Sequence, residues 1–85
     1  MDKILKEPRA NRVIGFREVR KALNNNRLRC VTIALDTDEN MLSEIKGLCL
    51  EKQVETSFCP SRVELGDQLG LDVPCSVCGL KKSEK

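Results

Sequence analysis

The sequence contains no histidine, tyrosine or tryptophan, and its only aromatic residues are two phenylalanines. Without histidine, the chain lacks the side chain most often used in general acid–base catalysis. It also has no glycine-rich phosphate loop and no pair of carboxylates at a definable site. Cysteine is left as the only candidate nucleophile. No base is available to activate Cys59 or Cys75, and we therefore expect that the protein is not an enzyme.

Long apolar runs are also missing. No segment approaches the length of a membrane span, and the N-terminal residues lack the apolar core of a signal peptide. We therefore expect a cytoplasmic location and no membrane partner. At 85 residues, 40% hydrophobic and 33% charged, the chain is expected to form a single soluble domain over 1–85. Residues 1–11 and 81–85 are expected to be loosely ordered.

The cysteines are odd in number, which disfavours a disulfide framework and favours reduced, buried thiols. They are Cys30, Cys49, Cys59, Cys75 and Cys78. Cys75 and Cys78 have the spacing of half a zinc site, but residues three apart in a strand point to opposite faces and would not bind one ion together. Core packing is thus favoured over a metal site, and no metal or cofactor is expected.

Charge is unevenly distributed along the chain. Residues 1–30 carry nine Lys or Arg against three Asp or Glu, whereas residues 31–80 carry three against nine. The two segments therefore have net charges of +6 and −6. Such asymmetry indicates a polyanionic partner, unless the fold intermixes the two sets of charges.

Strand and helix patterns alternate along the chain. Strands are predicted at 12–14, 30–35, 56–59 and 75–80, with helices at 16–23, from about 40 to 52, and between Ser61 and Gly70. Thr37, Asp38 and Asn40 are candidate start signals for the second helix, and Ser61 with Glu64 forms a capping box for the third. These patterns predict an α/β fold, a three-layer α/β/α sandwich around a small four-stranded mixed sheet.

The segment from Val13 to Leu23 concentrates the features that suggest a binding site. As a helix after Gly15, it places Phe16, Val19 and Leu23 on one side. The opposite arc carries Arg17, Glu18, Arg20 and Lys21. The free N–H groups and the positive dipole end at Gly15 and Phe16 favour an anion such as phosphate. An ordinary amphipathic helix with a solvated charged face is the alternative interpretation.

The order of these segments resembles the kink-turn-binding ribosomal protein family, which has archaeal, eukaryotic and small bacterial YbxF-type members. The resemblance covers about residues 12–80. It is carried by the helix stretch Gly15-Phe-Arg-Glu-Val-Arg-Lys-Ala-Leu23, the strand ending at Asp36, and the stretch Val63-Glu-Leu-Gly-Asp-Gln-Leu-Gly70 followed by the loop Leu71-Asp-Val-Pro74. Two separated signatures in the same order are more specific than either alone.

The resemblance implies an α/β/α sandwich that binds RNA kink-turns, sharp bends flanked by tandem sheared G·A pairs. By position, Arg17 and Glu18 would read guanine edges and Lys21 would contact the backbone or a base, although Arg17 replaces the Asn or Lys common in the family. The loop of Leu71, Asp72, Val73 and Pro74 would cover the bases that flip out at the bend. Arg20 would join Lys21 in neutralising phosphates.

The partner expected on this basis is structured RNA with a kink-turn, such as ribosomal RNA or a riboswitch, bound by a protein that is monomeric when free. A protein-interaction adaptor on the same fold, without RNA specificity, is the alternative. Glu18 could also simply pair with Lys21 across one helical turn, a contact worth a few tenths of a kcal/mol.

Overall fold

The alternating sequence patterns correspond to seven elements in the computed structural model, which describes residues 11–82. In chain order they are β1 (Arg12–Ile14), α1 (Phe16–Asn24), β2 (Leu28–Ala34), α2 (Glu39–Lys52), β3 (Glu55–Cys59), α3 (Arg62–Gln68) and β4 (Val77–Lys81). The expectations for residues 1–10 and 83–85 lie outside the described residues. None of the helices within 11–82 has the length and apolar character needed to cross a membrane.

The last strand occupies an interior position in the sheet, whose order is β1-β4-β2-β3. β4 runs antiparallel to both β1 and β2, and β2 runs parallel to β3. The four-stranded mixed sheet predicted from the sequence is therefore confirmed. Insertion of β4 between the two earlier strands brings its start beside the end of β1 and its end beside the start of β2.

Two apolar clusters cover the two faces of this sheet. On one face, α1 and α2 pack against Val31, Ile33 and Val77 through residues such as Leu23 and Ile45. On the other face, α3 packs against side chains that alternate with these along the strands, and this cluster contains Cys30, Cys59, Leu65, Leu69, Cys75, Cys78 and Leu80. The layers are thus α1 and α2, the sheet, and α3, as the α/β/α prediction requires.

Hydrogen-bonded caps fix where the helices begin and end. Of the three candidate start signals, Asp38 is the N-cap of α2, and its carboxylate accepts from the backbone N–H groups of Asn40 at 2.9 Å and Met41 at 3.3 Å. The Ser61 hydroxyl accepts from the Glu64 N–H at 3.1 Å. Gly70 follows α3 with φ 76°, the left-handed conformation predicted there.

β2 and β4 show the largest differences from the predicted strand boundaries. β2 begins at Leu28, two residues earlier than predicted, because a bulge between Leu28 and Cys30 lets the strand continue its pairing with β4. β4 begins at Val77 and not at Cys75, and it continues to Lys81, which pairs with Leu28. The Lys82 N–H also donates to the Arg27 carbonyl at 2.7 Å, and loose order over 81–85 stays a prediction.

Candidate nucleic-acid interface

Helix α1 starts at a glycine whose backbone conformation excludes most other residues. Gly15 is the N-cap, with φ 104° and ψ 151°, and no side chain caps the helix. Its N–H donates to the Val77 carbonyl at 3.0 Å, which anchors the helix start to the beginning of β4. The first-turn N–H groups therefore begin at a fixed point on the sheet and have no side-chain acceptor.

The two sides of α1 are separated as the sequence predicted. Val19 and Leu23 are fully buried, and Phe16 is partly buried against the same cluster. All four charged positions of the opposite arc are exposed. The helix is thus amphipathic, and its charged residues form one continuous outward surface.

Arg20 differs from the other charged residues of α1 because it has partners within the protein. Its guanidinium forms an ion pair with Glu44 of α2, with Nη1 and Oε2 3.1 Å apart, and lies 5.2 Å from the centroid of the Phe16 ring. Both charged side chains are about half exposed, so the pair adds little to stability. It does direct Arg20 toward α2, and contact of this residue with phosphate stays a prediction.

Glu18 and Lys21 do not form the ion pair across one helical turn that their spacing would allow. Neither side chain has a charged partner among residues 11–82, and both are exposed. A first-turn carboxylate does complement the helix dipole, a favourable but small interaction. Glu18 is therefore an available hydrogen-bond acceptor between the exposed cations Arg17 and Lys21.

The surface around Glu18 and Lys21 is concave on both sides. One hollow lies over the helix face and is lined by Arg17, Glu18, Arg20, Lys21, Asn24 and Asn25. The other lies beside the helix, and its lining adds Arg27 and Lys81 to Glu18 and Lys21. Arg27 and Lys81 were not predicted from the sequence, because only the pairing of β2 with β4 brings the two together.

The loop of residues 71–74 exposes the apolar side chain at its tip. Asp72, Val73 and Pro74 are exposed, with 62% of Val73 accessible, whereas Leu71 is half-buried against the cluster under α3. The structure thus separates the predicted loop residues into an anchor, Leu71, and three residues that face solvent.

Hydrogen bonds at both ends hold this loop against α3. The Leu71 N–H donates to the Gly66 carbonyl at 2.9 Å, and the Cys75 N–H donates to the Arg62 carbonyl at 3.0 Å. Between them, the Val73 carbonyl lies so close to Gly66 that a Cβ there would overlap it. Glycine at position 66 therefore allows the loop to rest directly on the helix backbone.

The loop and the start of α1 meet at the segment 75–77. The Val77 carbonyl accepts from the Gly15 N–H at 3.0 Å and from the Cys75 thiol at 3.3 Å, and Cys75 directly follows Pro74. Nearby, Arg12 Nη1 donates to the Leu69 carbonyl at 3.2 Å. The two sequence signatures, far apart in the chain, are thereby brought to the same end of the sheet.

All five cysteines are buried, as predicted, but the predicted placement of Cys75 and Cys78 on opposite faces of one strand is wrong. Cys75 precedes β4, the backbone bends at Ser76, and the Cys78 thiol donates a hydrogen bond to the Cys75 sulfur. This hydrogen bond lowers the pKa of the Cys75 thiol to about 7, against the opposing effect of burial, and together with burial it raises the pKa of Cys78. No group of three or more metal-ligating side chains occurs within residues 11–82.

Comparison with known proteins places this architecture in a family. The profile of the Ribosomal protein L7Ae/L30e/S12e/Gadd45 family matches residues 2–85. The chain belongs to this family. Membership confirms the resemblance drawn from the α1 segment and the loop at 71–74.

Relatives and solved structures agree with this assignment. The chain is 36% identical over 62 residues to the RNA-binding protein TTE2299 of Caldanaerobacter subterraneus, covering 73% of this chain and 76% of that protein. It is 30% identical over 70 residues to the RNA-binding protein BH0128 of Halalkalibacterium halodurans, covering 82% and 85%. The Giardia lamblia 15.5kD RNA binding protein superposes with a TM-score of 0.80 at 26% identity, covering 88% of this chain and 63% of that one.

Proposed function

We propose that this protein binds structured RNA at kink-turns and stabilises the bent form, using the exposed face of α1 and the loop of residues 71–74. The observation that carries the proposal is the position of Glu18, an exposed carboxylate without a charged partner among residues 11–82, on an otherwise basic helix face. The start of this helix is hydrogen-bonded to Val77, just after the exposed apolar loop. The family assignment supports it, since the two relatives described above are named as RNA-binding proteins and not as enzymes.

The carboxylate of Glu18 is the group that would recognise a base. Phosphates repel a carboxylate, so an acidic residue between Arg17 and Lys21 is useful to an RNA-binding surface only where it meets hydrogen-bond donors. Guanine offers such donors from its ring and exocyclic nitrogens. A sheared G·A pair leaves the guanine edge accessible, which fits the kink-turn better than a regular duplex.

Cations on the same face would supply affinity and register. Arg17 and Lys21 are exposed on either side of Glu18, and neither forms an ion pair within residues 11–82. Contacts between such side chains and phosphates release counterions, so binding should weaken as salt is raised. These contacts position the helix, whereas Glu18 would discriminate between sequences.

The loop would bind the unstacked bases at the bend. Val73 and Pro74 present an apolar surface without an aromatic ring, and the loop's fastening to Gly66 and Arg62 holds that surface in place. A pre-formed surface loses little conformational freedom on binding. The protein would act by population shift, because it binds the bent RNA and thereby draws the RNA out of its extended form.

The test is binding to a short duplex with a consensus kink-turn, compared with the same duplex in which Watson–Crick pairs replace the G·A pairs. The wild-type protein should prefer the kink-turn RNA and bend it. Glu18→Ala should reduce this preference by about 5- to 100-fold, since one good base contact is worth about 1–3 kcal/mol. Glu18→Gln keeps an acceptor oxygen and should retain part of it.

Glu51→Gln is the matched control, because Glu51 is an exposed carboxylate on α2, away from the proposed interface. It should leave the preference unchanged. Equal, weak binding of both RNAs by the wild-type protein would refute kink-turn recognition, and tight, salt-insensitive binding to a protein partner would then favour an adaptor role. A cytoplasmic location, a monomeric free state and a ribosomal RNA target stay predictions.

A further inference from the structure

A second basic surface lies beside α1, on the side that faces the end of β4. It borders a pocket of about 240 Å³. The lining residues are Val13, Glu18, Lys21, Ala22, Asn25, Arg27 and Lys81. We call Lys21, Arg27 and Lys81 the basic rim, since these three cations surround the pocket on which Glu18 also borders.

The fold brings the rim together from distant parts of the chain. After α1, the Arg27 N–H donates to the Ala22 carbonyl at 2.9 Å, which turns the chain back toward the sheet. Leu28 then pairs with Lys81, and the Lys82 N–H donates to the Arg27 carbonyl at 2.7 Å. The start of β2 and the end of β4 therefore each deliver a cation to the same pocket.

The rim cations form no ion pairs with carboxylates of residues 11–82, in contrast to Arg20 and Arg62. Arg20 and Arg62 each have a carboxylate within ion-pair distance, at 3.1 and 3.4 Å. Lys21, Arg27 and Lys81 are exposed, and none has an acidic partner among residues 11–82. The dipole of α1 favours a cation at Lys21 in its last turn, but Arg27 and Lys81 lie outside the helix.

We infer that the basic rim binds backbone phosphates of the RNA stem that continues beyond the G·A pairs. The inference rests on the proposed function, which places Glu18 at those pairs. Lys21 is one helical turn from Glu18, and the pocket extends from there away from the start of α1, so a strand whose guanine meets Glu18 would pass the rim with its next phosphates. A guanidinium and an ammonium are suited to these contacts.

The test uses the double variant Arg27→Gln/Lys81→Gln and the control Lys46→Gln/Lys52→Gln, which removes the same charge from α2. Affinity falls as salt is raised, and each phosphate contact that is lost should make the slope of log affinity against log salt less negative by about 0.7–0.9. The rim variant should therefore lose about 1.5 of the slope and bind kink-turn RNA about 10- to 50-fold more weakly at 0.1 M salt. The control should change either quantity little.

Shortening the RNA stem beyond the G·A pairs locates the contact. Removing those phosphates should lower the RNA affinity of the wild-type protein and of the control to about the affinity of the rim variant. It should leave the affinity of the rim variant nearly unchanged. The preference for kink-turn over Watson–Crick RNA should persist in the rim variant, because Glu18 is intact.

The outcomes separate the two proposals. Two results would overturn the inference alone. In one, the rim variant keeps its preference for kink-turn RNA and its salt slope is unchanged. In the other, stem shortening weakens RNA binding by the wild-type protein and by the rim variant to the same extent. Absence of selectivity in the wild-type protein would overturn the proposed function and this inference with it. Circular dichroism of each variant verifies that the fold is retained.

Discussion

Replacing Gly66 by alanine tests whether α3 holds the 71–74 loop in the position that RNA binding would require. Alanine normally stabilises a helix interior by about 1 kcal/mol relative to glycine. At position 66, however, the added Cβ would overlap the Val73 carbonyl oxygen and lie 3.3 Å from the Cα of Pro74. Both neighbours are backbone atoms, so neither can rotate away, and the loop must move by about 1 Å to restore contact distances.

The energetic consequence follows from what that movement disturbs. Overpacking of this kind costs about 1–3 kcal/mol, and the two hydrogen bonds that fasten the loop at Gly66 and Arg62 contribute about 1 kcal/mol each. Against the helix-propensity gain, Gly66→Ala should lower the free energy of unfolding by about 1–2 kcal/mol. The displaced Val73 should also weaken kink-turn binding, by about tenfold for a contact worth 1.4 kcal/mol.

Gly47→Ala is the matched control, since Gly47 is an exposed glycine in α2 with no atom within 4 Å of the position a Cβ would occupy. It should stabilise the protein by about 0.5–1 kcal/mol and leave RNA binding unchanged. Urea unfolding followed by circular dichroism is the suitable assay, because the chain has no tryptophan or tyrosine. Equal stabilisation by both substitutions, with equal RNA affinity, would refute the packing argument.

Three further changes probe single features of the structure. Asp38→Ala removes the N-cap of α2 and should lower the free energy of unfolding by about 1 kcal/mol; an unchanged urea midpoint would contradict the cap. Glu44→Gln frees Arg20 from its ion pair, so stability should change by less than about 1 kcal/mol while RNA affinity and its salt slope rise; a fall in affinity would argue against a phosphate-binding role for Arg20. Because hydrogen bonding to Cys78 lowers the pKa of Cys75 to about 7, ionisation stabilises the folded state above pH 7, and this contribution is lost as the pH falls through 7. The free energy of unfolding should thus rise by about 1–2 kcal/mol from pH 6 to 8.5 in the wild-type protein, and a rise of the same size in Cys75→Ser would show another group to be responsible.

Local patterns in the sequence determined the elements and one face of the site. Apolar spacing fixed the buried side of α1, since only one arrangement of Val19 and Leu23 on a helix places both in the core. Asp38 and Ser61 marked the helix starts because a short polar side chain can accept from N–H groups two or three residues ahead. The order of the α1 segment and the 71–74 loop was sufficient to indicate the family.

Contacts between distant residues could not be obtained in this way, because nothing local specifies them. The insertion of β4 between β1 and β2 is a property of the whole sheet, and it alone places Lys81 beside Arg27 and the end of the loop beside Gly15. The pairing of Arg20 with Glu44 likewise depends on how α1 and α2 pack.

The cysteines show the same division. Burial of all five followed from composition and from their positions among apolar residues. The contact between Cys75 and Cys78 did not, because the sequence pattern placed both in one strand, whereas the chain bends at Ser76 to bring the loop against α3. Periodicity thus decided which residues are buried and which face outward, and tertiary packing decided which of them meet.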